Sequence, residues 1–172
     1  MIKVITAIVC AFAAMLMIIL SVSTTYWLQW QISSDGRNIT HFRGLFRHCW
    51  ESRDNVTNEL QTYDGRTGCE GKFTDFKKDW NGVTIAFMIL GLLFHLIAFI
   101  VAIVAACRKG HPFPSLWVAG IFFVAAILVI IALLVYTFHN WQNDVYFSWS
   151  YGGGWSTVAL SIIAMVLIMA DR

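Results

Sequence analysis

Four long stretches of the chain contain no aspartate, glutamate, lysine or arginine: residues 4–34, 80–107, 110–143 and 145–170. Each can hold the roughly 20 apolar residues that cross a hydrocarbon core about 30 Å thick. Because backbone N–H and C=O groups in lipid must be satisfied within the segment, we predict helices and not isolated strands. The predicted spans are 4–23, 83–106, 116–137 and 151–170.

The first span has an alternative interpretation as a cleaved signal peptide, since Ser21-Val22-Ser23 offers small residues. Its apolar run is about 20 residues, whereas the apolar region of a signal peptide usually has about 7–15. The length therefore favours a membrane span.

Composition narrows the class of protein. Hydrophobic residues make up 58 % of the chain and charged residues only 13 %, against about 25 % charged in soluble domains. This excludes a cytosolic globular enzyme and a disordered chain. The net charge of +2 gives no sign of a nucleic-acid partner. Most charged residues lie between Asp35 and Asp79, which indicates a multi-pass membrane protein with one charged loop.

The charges also predict the orientation. The 24–82 loop carries eight basic and eight acidic residues, and loops of about 60 residues translocate largely regardless of charge. The short 107–115 connection, with Arg108 and Lys109, should therefore determine the orientation of the chain in the membrane. It places both termini in the cytoplasm and makes 24–82 and 138–150 the extracellular loops.

Two N-glycosylation sequons support this orientation. Asn38-Ile39-Thr40 and Asn55-Val56-Thr57 both lie in the large loop. We expect Asn38 and Asn55 to face the lumen during synthesis and the outside of the cell at the plasma membrane.

The four cysteines divide by compartment. Cys49 and Cys69 lie in the predicted extracellular loop, Cys10 within the first span, and Cys107 at the end of the second. An oxidising compartment makes Cys49–Cys69 the predicted disulfide. Cys107 beside two basic residues is a candidate palmitoylation site, with a plain cytosolic thiol as the alternative.

Within the large loop the pattern becomes short and alternating, which is typical of strands. We predict strands at 26–32, 41–50 and 71–76, with a turn at 33–36. The loop therefore forms a small antiparallel sheet above the helices.

Most of the eight tryptophans are interpreted as an interfacial aromatic belt. The residues placed in this belt are Trp27, Trp30, Trp141, Trp149 and Tyr151.

Small residues four positions apart predict close helix packing, mainly within the bundle. The pairs are Ala7/Ala11, Cys10/Ala14 and Gly152/Ser156. The three consecutive glycines that begin at Gly152 permit an irregular or tightly packed start to the last span.

No span contains an acidic or basic residue, which counts against proton relays, ion-coupled transport and voltage sensing. His95 is interpreted as a hydrogen-bonded residue inside the bundle, with titration or metal binding as the alternative. The chain has no pattern typical of catalytic triads, phosphate loops or metal ligands. We therefore expect no enzyme, no cofactor and no metal site.

Several of these residues carry a family resemblance. Trp27 after the first span, then Gly44-Leu45-Phe46-Arg47-His48-Cys49, then Cys69, on a four-span chain, resembles the claudin superfamily. The segments 86–90 and 147–155 are similar to the lens fibre membrane intrinsic protein and the claudin domain-containing proteins. Phe46 stands where the family usually has a second tryptophan.

The resemblance implies the whole fold, a membrane-embedded four-helix bundle with a small antiparallel extracellular sheet, as one domain over residues 1–172. It implies that Trp27 and Phe46 seat the sheet on the bundle. It also implies a non-enzymatic protein that makes contacts at the plasma membrane, with itself or with another membrane protein, at cell–cell junctions.

Two alternative functions stay open. Residues 118–124 are similar to the calcium-channel γ subunits, and no cytoplasmic tail for a scaffold ligand follows Arg172. Both features favour an auxiliary subunit of an ion channel or receptor. The other alternative is a paracellular pore lined by Asp64, Glu70 or Lys72.

Overall fold

The computed structural model describes residues 2–34, 37–54, 68–71, 80–107, 115–141 and 144–170. They contain four long helices: α1 (Ile2–Ser23), α2 (Asn81–Cys107), α3 (Ser115–Asn140) and α4 (Trp149–Ala170). Each is long and apolar enough to cross a membrane, where a helix satisfies its own backbone hydrogen bonds. The four helices cover the four predicted spans and extend slightly beyond the predicted bounds.

The helices pack in a ring in which α1 and α3 each contact both α2 and α4. Small side chains fill the interior, while many of the large aliphatic side chains point outwards. This is the arrangement expected in lipid, where association depends on close packing and not on removing apolar surface from water. The fully buried alanines include Ala7, Ala11, Ala14, Ala98, Ala102, Ala125 and Ala132.

The predicted small-residue pairs divide into two groups. Ala7, Ala11 and Ala14 lie inside the bundle as expected. Gly152 is exposed, and a Cβ atom there would meet nothing within 4 Å. The pair Gly152/Ser156 therefore does not pack within the bundle.

Glycines set the approach of α3 to both its neighbours. A Cβ atom on Gly91 of α2 would lie 2.7 Å from Val129 Cγ2, and one on Gly154 of α4 would lie 2.7 Å from Leu133 Cδ2. Of the three glycines at the start of α4, Gly154 therefore permits tight packing, whereas Gly152 faces open space. The alternative of an irregular start is wrong, because all three lie in regular helix.

Five antiparallel strands form one sheet at one end of the bundle, in the order β4-β3-β2-β1-β5. The strands are β1 (Leu28–Ser34), β2 (Arg37–Arg43), β3 (Arg47–Asp54), β4 (Gly68–Gly71) and β5 (Tyr146–Phe147). The β5 strand comes from the connection between α3 and α4, and it pairs with β1 through Leu28↔Phe147 and Gln29↔Tyr146.

The sheet confirms the predicted architecture and corrects its details. The single strand predicted at 41–50 is wrong, because a tight turn at Gly44 divides it into β2 and β3. The predicted turn at 33–36 begins too early, since β1 continues through Ser34. Of the strand predicted at 71–76, the structure describes only Gly71, which is the last residue of β4; residues 72–76 lie outside the described part of the chain.

Cross-strand partners share a face of a sheet, which defines two surfaces here. We call the face that carries Leu28, Trp30, His41 and His48 the inner face, because buried Leu28 packs there into the core shared with the helices. The opposite face carries the Cys49–Cys69 pair.

Candidate functional site: the junction of sheet and bundle

Trp27 lies between α1 and β1 at the centre of the junction, and none of its surface is exposed. Its indole Nε1 donates a hydrogen bond to Ser21 O at 2.6 Å. Its backbone N–H donates to Arg43 O at 3.1 Å, and its carbonyl accepts from Ser148 N at 3.0 Å. One residue therefore joins the end of α1, the end of β2 and the start of α4. Its assignment to the interfacial belt is wrong.

The indole of Trp27 also packs against aromatic side chains of two further helices. Tyr136 of α3 meets it edge-on, with ring centroids 4.7 Å apart, and Tyr151 of α4 meets it at 6.0 Å. Edge-to-face pairs of this kind add about 0.5–1.5 kcal/mol to the energy of burial. The sheet is thus held on the bundle by a packed aromatic contact as well as by hydrogen bonds.

Trp27 belongs to a continuous core, here called the junction cluster, to which all four helices and the sheet contribute. Phe46 is partly buried and packs against this cluster. Trp27 and Phe46, the two residues singled out by the resemblance, therefore meet the same core. The buried members are Ile18, Trp27, Leu28, Leu45, Ile85, Met88, Val129, Ala132, Leu133, Tyr136 and Val158.

Hydroxyl groups join the end of α1 to the start of α4. Ser21 Oγ donates to Ser150 O at 2.7 Å, and Thr24 Oγ1 lies 2.6 Å from Ser150 Oγ. Ser150 N donates to Tyr26 O at 3.1 Å. Ser21 and Ser150 are buried. Loss of either hydrogen-bond partner would leave a buried hydroxyl unsatisfied and would lower the stability of the protein. Sequence reasoning missed both: Ser21 was weighed only as a cleavage site, and Ser150 only as part of a family segment.

Gly44 begins the turn between β2 and β3, where the backbone passes close to the end of α1. Its N–H donates to Arg47 O at 2.8 Å. A Cβ atom here would lie 2.6 Å from both Thr24 O and Thr25 Cα. Leu45, the next residue, is buried in the junction cluster. The Gly-Leu-aromatic motif therefore combines a backbone contact that only glycine permits with two side chains that meet the core.

We expect Gly44→Ala to destabilise the protein by about 1–3 kcal/mol, the usual cost of overpacking, because the obstructing atoms belong to the backbone. Gly152→Ala is the matched control: that site is open and helical, so alanine should stabilise it by up to about 1 kcal/mol. Thermal unfolding of both variants in detergent checks this. Equal melting temperatures for the two variants would contradict the close approach at Gly44.

Cys49 of β3 and Cys69 of β4 are joined by a disulfide, which is the predicted pairing, and their Cα atoms are 4.1 Å apart. The two cysteines are also direct register partners in the sheet. Cys10 and Cys107 are free, and Cys107 is exposed at the end of α2. The disulfide closes the half of the sheet that lies farthest from β5.

His95 lies inside the bundle with 1 % of its surface exposed. Its Nδ1 is 2.8 Å from Gly91 O, and its Nε2 is 2.6 Å from Ser161 Oγ of α4. The interpretation as a hydrogen-bonded interior residue is confirmed. The side chain braces α2 against α4, two helices that lie diagonally across the ring.

The remaining predicted site residues lie on the surface or outside the described residues. Asn38 is exposed at the start of β2, and Glu70 is exposed on β4. Asn55, Asp64 and Lys72 fall outside the described residues, so no described feature favours the pore alternative.

Trp141 and Trp149 are exposed at the end of the bundle that carries the sheet, as an interfacial belt requires. Trp30 and Tyr151 are only partly exposed. Trp30 stacks on His41 of the sheet, and Tyr151 packs on Phe147.

Within the described residues, no three His, Cys, Asp or Glu side chains are grouped to hold a metal ion. At the junction, the Trp27 indole and the Ser21 hydroxyl are hydrogen-bonded to backbone carbonyls, whereas the buried Tyr136 hydroxyl has no hydrogen-bond partner among the described residues. Four apolar helices and a disulfide-linked sheet, joined through a buried aromatic core, define a multi-pass membrane protein of the tetraspan class.

Comparison with known proteins identifies the family within this class. The family model described as "PMP-22/EMP/MP20/Claudin tight junction" matches residues 11–170. The chain belongs to this family, and its members are structural membrane proteins and not enzymes.

Individual relatives agree with this assignment. The chain is 28 % identical to the lens fiber membrane intrinsic protein of Homo sapiens over 177 residues, which covers 93 % of this chain and 86 % of that protein. It is 32 % identical to claudin domain-containing protein 2 of Homo sapiens over 91 residues. It is 29 % identical to the p53 apoptosis effector related to PMP-22 of Danio rerio over 93 residues. The last two matches span only 54 % and 50 % of those relatives.

Proposed function

We propose that this protein mediates contact between cells, by binding a second copy of itself on the opposing plasma membrane through the outward-facing sheet. The observation that carries the proposal is the attachment of the sheet to the bundle. Trp27, at this attachment, is fully buried and hydrogen-bonded to Ser21 O. A sheet held in this way presents its free surface in one orientation. Binding then requires little ordering of the surface, which lowers its entropic cost.

The free surface has features that suit a contact between copies. Tyr146 of β5 is 73 % exposed, and aromatic side chains are enriched in protein interfaces. The 24–82 loop carries equal numbers of basic and acidic residues. Two copies therefore meet without net repulsion between their loops.

A vesicle-clustering assay tests this proposal. Liposomes that contain the purified protein should cluster, as measured by light scattering, and protein-free liposomes should not. Tyr146→Ser should reduce clustering several-fold. Trp117→Ala is the matched control, because Trp117 is similarly exposed at the opposite end of the bundle, and it should leave clustering unchanged. Equal clustering by liposomes with and without protein would refute the proposal.

The proposal places both termini and the Cys107 end of the bundle in the cytosol. Arg108 and Lys109 in the short connection favour this orientation. The exposed Cys107 thiol beside these basic residues then suits palmitoylation.

Glycosylation provides a direct test of orientation. Asn38 is exposed on β2, so we expect it to carry a glycan, as also proposed for Asn55. Glycosidase should increase the gel mobility of the protein from cells, and Asn38→Gln should migrate faster before treatment.

A tag inserted at Gly110 should be labelled only after permeabilisation. Labelling of that tag on intact cells would overturn the orientation.

A groove between α3 and α4 favours a second candidate function, that of an auxiliary subunit which binds a channel or receptor laterally. The groove encloses about 630 Å³ and is lined by apolar residues that include Gly120, Phe123 and Met165. A Cβ atom on Gly120 would meet nothing within 4 Å. An exposed glycine permits a helix from another membrane protein to approach closely.

Substitution in the groove separates the two functions. Gly120→Leu should abolish a lateral complex by filling the groove, yet leave vesicle clustering unchanged. If Gly120→Leu abolished clustering as strongly as Tyr146→Ser, the contact would run through the helices and not through the sheet.

A further inference from the structure

Two histidines on neighbouring strands of the inner face form a direct ring-to-ring contact. His41 Nδ1 of β2 lies 3.2 Å from His48 Nε2 of β3. The ring centroids are 5.3 Å apart and the planes differ by 17°, so the two rings are nearly parallel. Both planes lie within 10° of the Trp30 indole, with centroid distances of 5.1 Å to His41 and 5.5 Å to His48.

The contact depends on the number of protons that the pair holds. A hydrogen bond between the two nitrogens needs one N–H donor and one lone pair. Two neutral imidazoles meet this requirement, and so does a pair with one added proton, whose hydrogen bond is charge-assisted. When both rings are protonated, both nitrogens become donors and two positive charges face each other at hydrogen-bond distance. The second proton therefore cannot be accepted without breaking the contact.

Among the described residues, charges of both signs lie near the pair. Arg43 and Glu70 are the register partners of His48 on β2 and β4, and they share its face. Their opposite charges act on the pair in opposite directions. The β1 strand carries no charged residue, and Asp144 lines a cleft together with Trp30 and Arg43.

The surroundings favour a neutral or singly protonated pair. Burial lowers the pKa of His41 below its usual value, because the charged ring loses water. The face of the Trp30 indole attracts a cation, which suits a single added proton. Below about pH 6.5 the folded pair therefore binds fewer protons than two free imidazoles, so acid destabilises the folded form.

We propose that the His41–His48 pair is an acid-sensitive clasp between β2 and β3, closed while the pair is neutral or carries one added proton and open when both rings are positively charged. Opening separates the two imidazoles and uncovers Trp30. It loosens the half of the sheet that carries the disulfide and leaves the junction at Trp27 in place. The clasp is independent of the side of the membrane on which the sheet lies and of the proposed cell contact.

Titration of the histidines in the full chain tests the clasp. The protein is labelled with ¹⁵N-histidine in detergent micelles, and His41→Gln, His48→Gln and His139→Gln identify the signals. His41 and His48 should titrate in two steps separated by more than about one pH unit, as coupled groups do. In His41→Gln, His48 should titrate in a single step. His139→Gln, changed at an exposed site on α3, should preserve the two steps.

A second readout measures the consequence for the fold. Between pH 7.5 and pH 5, the melting temperature of the parent protein should fall by several degrees more than that of His41→Gln, which cannot hold two protons. His139→Gln should behave like the parent. The proposal is overturned if His41 and His48 titrate independently in the parent protein with the same pKa values as in the single variants. Equal acid sensitivity of the parent and His41→Gln would also overturn it.

Discussion

Trp27→Ala is expected to lower the free energy of unfolding by about 3–5 kcal/mol, the usual cost of removing a large buried aromatic ring. The loss has two physical sources. The cavity lies among residues of the sheet and of all four helices, which cannot all collapse into it together. In addition, Ser21 O loses the indole N–H that it accepts at 2.6 Å.

The measurement is thermal or denaturant unfolding of the purified protein in a mild detergent. Trp149→Ala is the matched control, because Trp149 is 57 % exposed at the same end of the bundle, and it should cost less than about 1 kcal/mol. Trp27→Phe should fall between the parent and Trp27→Ala, since it keeps a ring and loses the N–H. Equal losses for Trp27→Ala and Trp149→Ala would mean that the junction does not depend on this residue.

Phe46 extends this test. Trp27 and Phe46 pack into the same cluster, so losses from Trp27→Ala and Phe46→Ala should be non-additive in the double variant. Phe46→Trp, which restores the family's usual residue, should be tolerated. Strict additivity would indicate two independent contacts instead of one shared anchor.

Cys49→Ser and Cys69→Ser are each expected to destabilise the protein by about 2–5 kcal/mol and to reduce its delivery to the cell surface. The disulfide spans 20 residues of sequence and joins β4 to β3, where β4 is a short edge strand with only one neighbour. Without the bond, the pairing of β4 rests on few backbone contacts.

Surface biotinylation and thermal unfolding together measure this effect. Cys10→Ser and Cys107→Ser are the controls, because both thiols are free, and they should change little. The double variant of Cys49 and Cys69 should be no worse than either single variant, since one bond is lost in all three. Free thiols at Cys49 and Cys69 in the non-reduced protein, detected by mass spectrometry, would remove the basis of this prediction.

The helical part of the fold could be predicted almost completely from the sequence. Stretches without charged residues identify membrane spans because lipid imposes one solution on the backbone. The ends of the spans were less accurate: α3 continues to Asn140, whose buried side-chain amide donates to Tyr136 O. A hydropathy pattern gives no signal for such a bond.

The sequence predicts that the loop forms an antiparallel sheet, but it predicts the bounds of the strands only in part. The alternating pattern indicated strands, and it could not reveal that the chain turns at Gly44, because the reason is a contact with Thr24 and Thr25 far away in sequence. The two-residue strand β5 is too short to produce a pattern. It exists because β1 offers a free edge to which Tyr146 and Phe147 can pair.

The junction shows the clearest limit of sequence reasoning. A tryptophan near a predicted membrane boundary is typical of an interfacial belt, and Trp149 follows that rule whereas Trp27 is fully buried. Only the tertiary fold decides between them, because the pocket of Trp27 is built from residues of α3, α4 and the sheet. The family resemblance identified Trp27 as special, and the packing supplies the physical reason.

We propose that copies of this chain meet through their sheets across two membranes. The most direct measurement uses two populations of non-adherent cells, each expressing the chain with a different N-terminal tag, cross-linked after mixing and then extracted in mild detergent. Purification through one tag should recover the other only from cells that were mixed before cross-linking. Recovery should fall with Tyr146→Ser and persist with Trp117→Ala. Failure to recover the second tag, together with stoichiometric co-purification of a channel from each population alone, would contradict the claim and favour the auxiliary-subunit role.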